Sequence, residues 1–325
     1  MSQKALLLTV LGGLFLLSAF TQFVRAENRG AFSFFLENDV FAFTDKYYSH
    51  GMKLSWTSPD RFSSRFDSEA QRALSVSLGQ SIYTPADIRR PDLVENDRPY
   101  AGVTYLSFAL HRRKDRFMDT MEFVLGMVGP HSYAEQMQRF VHSLYRGTEP
   151  RGWHNQLRDE PVFAAVFDRK WRILRLRKKK DFGYDMIGHL GGSLGNLMTA
   201  ARAGCQLRIG WNLPLDFGTF LIRPGGESST FFNGPAPSGE EGLFGIHGFV
   251  YAAGHAIYRN IFLDGNTFQE SHRVDKYPFV GDFVIGIALT YKRFKLSYAY
   301  VCRTRQFKTQ EKPQIFGALN ISFIY

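Results

Sequence analysis

The sequence predicts an all-β fold: a 12-stranded antiparallel transmembrane β-barrel with a helix in one long extracellular loop. Three observations point there. Apolar residues recur with period two along most of the chain, the mark of strands with one greasy face. An export signal opens the chain. Tyr and Phe gather near the ends of the alternating segments, as in an aromatic girdle. Composition agrees. Of 325 residues, 22% are charged and 15% aromatic, with 31 Phe and 15 Tyr, which argues against disorder. A mean hydropathy of -0.22 excludes a helical membrane protein. Two cysteines exclude a disulfide framework and a four-cysteine zinc site. The net charge of +10 suits a membrane surface, an acidic substrate or nucleic acid, but no nucleic-acid module is recognisable.

Taken in order, the first element is the segment 1–26. Lys4 precedes an apolar stretch from Ala5 to about Val24, closed by Val24-Arg25-Ala26. This reads as a secretory signal peptide, with an uncleaved membrane anchor as the alternative. Cleavage after Ala26 leaves a single barrel domain, 27–325. No later stretch reaches the roughly 20 apolar residues of a spanning helix.

Twelve strands are expected near 31–39, 48–58, 72–82, 100–112, 119–129, 161–176, 182–195, 200–213, 244–259, 279–292, 293–303 and 314–325. Phe32, Phe34 and Leu36 set the outward row of the first; Met52, Leu54 and Trp56 that of the second. Met121, Phe123, Leu125 and Met127 alternate likewise. So do Phe283, Ile285, Ile287 and Leu289, then Leu296, Tyr298 and Tyr300, then Leu319, Ile321 and Phe323. A soluble sandwich is the competing architecture. The Gly, Ala and Ser of the second face, the even strand count and the aromatic terminal strand favour a narrow closed barrel.

With both termini periplasmic, the extracellular loops are about 40–47, 83–99, 130–160, 196–199, 260–278 and 304–313. In the third, Ser132 and Glu135 have capping-box spacing. Tyr133, Met137, Phe140, Val141, Leu144 and Tyr145 then form one apolar helical face, with Glu135, Gln138 and His142 toward the other. Such a helix can lie apolar side to lipid with its polar side on the barrel wall, or plug the lumen or cap the rim. The connection 214–243, rich in Gly, Pro and Ser, is long for a periplasmic turn and implies extra structure or a missed hairpin.

Several residues carry chemistry. Glu37-Asn38-Asp39, followed by Thr44-Asp45, gathers oxygen donors suited to Ca²⁺, although Asn-Asp at a strand end also makes turns. His142 can take a proton from water and return it to an alkoxide; the other histidines, His50 among them, read as lumen or rim residues. Glu149 can orient a metal or imidazole, or be a solvated acid. Arg98, in Asp97-Arg98-Pro99-Tyr100-Ala101-Gly102, can hold a phosphate or make a rim salt bridge. Arg175 to Lys180 reads as a solvated turn. Cys205 and Cys302, on non-neighbouring strands, are too far apart to bridge.

Glu37-Asn38-Asp39 with Thr44-Asp45-x-Tyr47-Tyr48-Ser49-x-Gly51 resembles the first two strands of the lipid A 3′-O-deacylase family. Gly79-Gln80-x-Ile82-Tyr83-Thr84-Pro85, the Asp97–Gly102 motif, and Gly126-x-Val128-Gly129-Pro130 with His142 downstream extend the resemblance over most of the chain after residue 26. It implies an integral outer-membrane, Ca²⁺-dependent esterase that removes the 3′-linked acyloxyacyl group of lipid A in the outer leaflet. Carried over by motif, Asn38, Asp39, Ser49 and His142 form the catalytic set, and Asp39 and Glu149 hold the metal. Arg89 and Arg90 meet lipid A phosphates. A monomer is expected. The rivals are an outer-membrane phospholipase, which would add a serine nucleophile beside the histidine, and a non-catalytic barrel or pore.

Overall fold

The computed structural model describes residues 30–42, 47–59, 70–145, 147–177, 182–218, 221–222 and 244–325. The signal-peptide segment, Thr44 and Asp45, and most of 214–243 lie outside these residues. Twelve antiparallel strands close on themselves: β1 Ala31–Asn38, β2 Tyr47–Thr57, β3 Gln71–Thr84, β4 Ala101–Lys114, β5 Phe117–Val128, β6 Glu160–Arg177, β7 Phe182–Leu194, β8 Met198–Trp211, β9 Phe244–Asn260, β10 Phe279–Tyr291, β11 Phe294–Arg303 and β12 Gln314–Ile324. The seam is β1 on β12, from Ala31 opposite Ile324 to Asn38 opposite Gly317. No edge is left unpaired, as hydrocarbon requires.

The period-two pattern sorts the side chains. Leu54, Leu78, Phe108, Phe123, Phe163, Ile209, Phe283 and Ile285 are exposed and form the lipid-facing band. Their neighbours point inward and are buried. The inner face carries far more charge than the Gly, Ala and Ser of the sequence suggest. Lys53, Glu122, Asp168, Lys170, Asp185, Arg208 and Lys295 are all buried there.

The connection after β8 explains much of that charge. Residues 213–218 and 221–222 turn into the lumen, where Asp216 and Phe217 are buried. Lys295 Nζ donates to Asp216 Oδ2 at 2.6 Å, Arg208 pairs with both Asp216 and Asp185, and Arg172 donates to the Asp216 carbonyl at 2.5 Å. Arg175, expected in a solvated turn, instead lies on β6 and donates to the Leu213 carbonyl at 2.8 Å. Farther along, the Ile222 amide donates to Glu37 Oε1 at 2.6 Å. Glu37 stands near the opposite end of β1, so the segment climbs most of the barrel's height. The described residues of this connection fill the lumen without forming a strand or a helix, held there by ion pairs and hydrogen bonds.

A helix, α1, spans Ala134–Tyr145. The capping box does not form. Ser132 belongs to a 3-10 turn, Pro130–Ser132, and its hydroxyl donates to the Gly129 carbonyl at 2.6 Å. Tyr133, at φ 56°, kinks the chain into the helix. A second, four-residue helix, α2, Ile261–Asp264, is buried over the lumen mouth.

Candidate active site

Helix α1 lies against the outside of the barrel, polar side inward. Ala134, Gln138 and His142, one turn apart, are buried; Tyr133, Phe140 and Leu144 are exposed. The docking point is Gly102 on β4. A Cβ there would stand 1.9 Å from the Ala134 Cβ and 2.6 Å from Ser132 Oγ, so only glycine lets the helix come this close. Ile82, Ile88, Tyr100, Ala134 and Trp153, with Met137, form an apolar cluster between wall and helix. Gln80 Nε2 donates to the Ser132 carbonyl at 2.8 Å, and Trp153 Nε1 donates to Gln138 Oε1 at 2.7 Å.

Strand register sets what lies beneath. Asn38 stands opposite His50, His50 opposite Ile82, and Ile82 opposite Gly102. These four lie near the extracellular ends of the outward rows of β1 to β4, with Thr84 beyond Ile82 on β3. Below them the rows continue as Leu36, Met52, Gln80 and Thr104. The eight steps from Ala134 to His142 advance about 12 Å along the helix. Strands lie about 4.8 Å apart. A helix anchored at Gly102 on β4 and packed also on β3 therefore carries His142 toward β2. Its imidazole accordingly reaches the electrostatic neighbourhood of His50.

Asn38 Nδ2 is 3.5 Å from His50 Nδ1, and Asn38 Oδ1 accepts from the Val40 amide at 2.8 Å. Asp39 opens the 3-10 turn Asp39–Ala42 and is buried. Ser49 sits where the β2–β3 register slips between Tyr48 and His50. Its hydroxyl is 2.8 Å from that of Thr84, the last residue of the outward row of β3. His142 Nδ1 is 2.5 Å from the Thr148 carbonyl. A carbonyl only accepts, so Nδ1 carries a proton, and in the neutral ring Nε2 holds the lone pair. His50 Nε2, Gln80 Oε1 and Gln138 Nε2 are buried with no hydrogen-bond partner. Three orphaned polar atoms under one helix outline a place for a polar ligand.

The remaining expected residues stand apart. Glu149 is exposed, and its Oε1 accepts from Arg139 at 2.7 Å. Arg89 and Arg90 are exposed on the loop after β3, and Arg89 is paired with Asp87 at 2.8 Å. Arg89, Asp97 and Thr148 line an open extracellular cavity of about 810 Å³, next to the carbonyl that holds His142. Arg98 makes no rim salt bridge: it is wholly buried, its guanidinium 4.4 Å above the Tyr83 ring. His50 was read as a lumen or rim residue. It is instead on the lipid-facing side, and the parity of Met52, Leu54 and Trp56 places it there. Gln80 and Thr84 likewise end a row begun by Leu74, Val76 and Leu78.

For a hard cation, the donor chemistry here is suitable. Asp39 brings a buried carboxylate, and Asn38 and Ser49 bring amide and hydroxyl oxygens, the ligand types of Ca²⁺. No group of three His, Cys, Asp or Glu gathers among the described residues, so further ligands would be neutral oxygens or water.

A closed twelve-stranded barrel with a greasy outer band is an integral outer-membrane protein. The comparisons narrow this. A family model described as "Outer membrane protein LpxR" matches residues 7–325. The chain belongs to the LpxR family of the outer membrane. LpxR from Salmonella typhimurium superposes with a TM-score of 0.73 at 16% identity, covering 90% of this chain and 99% of that one. The β domain of the Bordetella autotransporter BrkA reaches a TM-score of 0.46 at 9% identity, covering 92% and 99%. No curated protein matches the sequence.

Proposed function

We propose that this protein is an outer-membrane esterase that hydrolyses the 3′-linked acyloxyacyl group of lipid A in the outer leaflet. The observation that carries the reading is a helix over the lipid-facing wall that turns its buried Gln138 and His142 inward, above a wall where Asn38 stands 3.5 Å from His50, in a member of the LpxR family. An acyl chain lying in the outer leaflet reaches that wall without leaving hydrocarbon. The glucosamine and its phosphates stay at the headgroup level, beside the open cavity and Arg89 and Arg90.

The chemistry follows from the tautomer of His142. With Nδ1–H given to the Thr148 carbonyl, Nε2 accepts a proton from water as the water oxygen bonds to the ester carbonyl carbon. The carbonyl π electrons move to oxygen. Asn38 Nδ2 and the Ser49 hydroxyl would serve as donors to that oxyanion. On collapse the sugar C–O oxygen leaves and takes the proton from Nε2, releasing a carboxylic acid and a sugar hydroxyl. Ca²⁺, held through Asp39, would supply positive charge beside the oxyanion. Glu149 would have to release Arg139 to join it.

Neither rival gains support. Ser143, the one serine adjoining His142 in sequence, is exposed and donates to the Phe140 carbonyl at 2.7 Å, so it presents no nucleophile. The plugged lumen suits no wide channel. Mass spectrometry of lipid A from cells with and without the protein tests the proposal. Loss of the 3′ acyloxyacyl mass is expected. Altered glycerophospholipids with intact lipid A would mean a phospholipase, and no change in either would refute the esterase.

A further inference from the structure

The register slip in β2 decides which side of the wall Ser49 serves. His50, Met52, Leu54 and Trp56 share the outward row, so an unbroken strand would place Tyr48 outward and Ser49 in the lumen. The slip falls between Tyr48, opposite Tyr83, and His50, opposite Ile82, and leaves Ser49 as the extra residue. A bulge of this kind re-aims the side chains around it. Here it exchanges the two faces. The Tyr48 ring is in the lumen, 5.1 Å from that of Tyr83 and 5.1 Å from that of Phe316, within the core cluster that also holds Phe262. The Ser49 hydroxyl is 2.8 Å from that of Thr84, on the outward row of β3.

The seat of Tyr48 holds that exchange in place. Its ring lies along the lumen face of its own strand, over Gly51. A Cβ on Gly51 would overlap the Tyr48 hydroxyl and stand 2.8 Å from Cζ, so glycine alone leaves the ring this place. Phe316 flanks it on one side and Tyr83 on the other, and Tyr83 is itself stacked at 4.3 Å on Phe262. A ring wedged in a packed interior has no second position to take. The chain enters the slip through Tyr47 at φ 71°, a left-handed conformation that persists only where packing over-determines it. Tyr47 is buried edge-on against Phe307 at 5.6 Å.

We infer that Tyr48, seated over Gly51, is a positioning residue for the reaction proposed above. By filling the lumen side of the wall it keeps the slip in β2, and so keeps the Ser49 hydroxyl on the lipid side. Neither Tyr48 nor Gly51 meets the substrate. The consequence for rate rests on the esterase reading; the seat itself is a matter of geometry and is tested apart from it.

Variants of the full-length enzyme, assayed on purified lipid A, test this. Ser49→Ala and Gly51→Ala should each lower kcat for 3′-deacylation by about 10²-fold, the scale of a lost oxyanion donor, with KM little changed. The double variant should be no slower than Ser49→Ala alone, because residues acting as a unit are not additive. Tyr48→Phe, which keeps the ring, should retain most of the activity. Gly286→Ala, which sets a Cβ against Phe249 elsewhere in the lumen, should retain all of it. Multiplied losses in the double variant, or full activity in Ser49→Ala or Gly51→Ala, overturn the inference. An equal loss in Gly286→Ala also overturns it, since the response would then be to crowding in the lumen. Should Gly51→Ala fail to fold, Tyr48→Leu takes its place with the same expectations. Absence of deacylation by the unaltered protein would refute the esterase, and a crystal structure of Gly51→Ala would then judge the seat: Ser49 released from Thr84 supports it, and Ser49 still bonded to Thr84 refutes it.

Discussion

The two polar regions of this barrel differ in how their groups are answered. At the periplasmic end of the lumen, Asp216 meets Lys295 and Arg208, and Asp185 meets Arg208 and Arg172. Acids and bases are matched, and the result is a plug. Under α1, on the opposite side of the wall, Asn38, His50, Ser49 and His142 are buried or half-buried with a single acid, Asp39, among them. His50, Gln80 and Gln138 there each keep an atom with no partner. Burial of polar groups serves structure where partners close the set, and function where a substrate is left to close it.

Removing His142 is the strongest way to break that contrast. In the proposed reaction it moves the proton, so His142→Ala should lower the rate of 3′-deacylation on the order of 10²–10⁴-fold. The same variant should keep the barrel folded, because a helix outside the wall adds nothing to the strand ladder. Full activity, measured by mass spectrometry on purified lipid A, would sink the assignment. Chelation of divalent ions should abolish activity as completely and readdition of Ca²⁺ restore it; a chelator-resistant enzyme would remove the metal from the scheme.

The lumen should respond in the opposite sense. Lys295→Met leaves Asp216 buried beside one cation instead of two. Breaking a buried ion pair costs about 3–5 kcal/mol, so the denaturant midpoint should fall while turnover per folded molecule is retained. Lost turnover without lost stability would mean that the plug speaks to the outer site, and the two regions could no longer be treated as separate.

Much of this was legible in the chain. The outward rows of β1, β2 and β3 follow from strict alternation, since hydrocarbon admits only one face of each strand. The inward turn of Gln138 and His142 follows from the helical period. Two features were not legible. The plug has no period, and Asp216 finds Lys295 only after β9 and β10 have intervened. His50 was legible by parity, but a histidine at a strand end is common enough in a lumen or at a rim that parity alone did not single it out. What marks it is the helix laid over it, a tertiary fact.

Gly102→Leu sharpens the same point at intermediate size. The added side chain meets Ala134 and must lift α1 from the wall, separating His142 from Asn38 with no catalytic group altered. A misplacement of about 1 Å costs about 10²-fold, and the barrel, whose strands keep their pairing, should still resist unfolding as before.

Glu149→Gln carries the smallest expected effect, and its size decides which of two roles the residue has. Glu149 is exposed and shares Arg139 with Glu135. A surface pair of this kind contributes about 0–1 kcal/mol, so as a helix brace its loss should change activity less than about fivefold and leave the Ca²⁺ dependence where it was. As a metal ligand it would instead shift the Ca²⁺ concentration for half-maximal activity upward by tenfold or more, with the rate at saturating Ca²⁺ less affected. A Ca²⁺ titration of the variant separates the two. A large shift would mean that α1 and the segment after it rearrange when the ion binds, bringing a carboxylate now turned to solvent into the pocket under the helix.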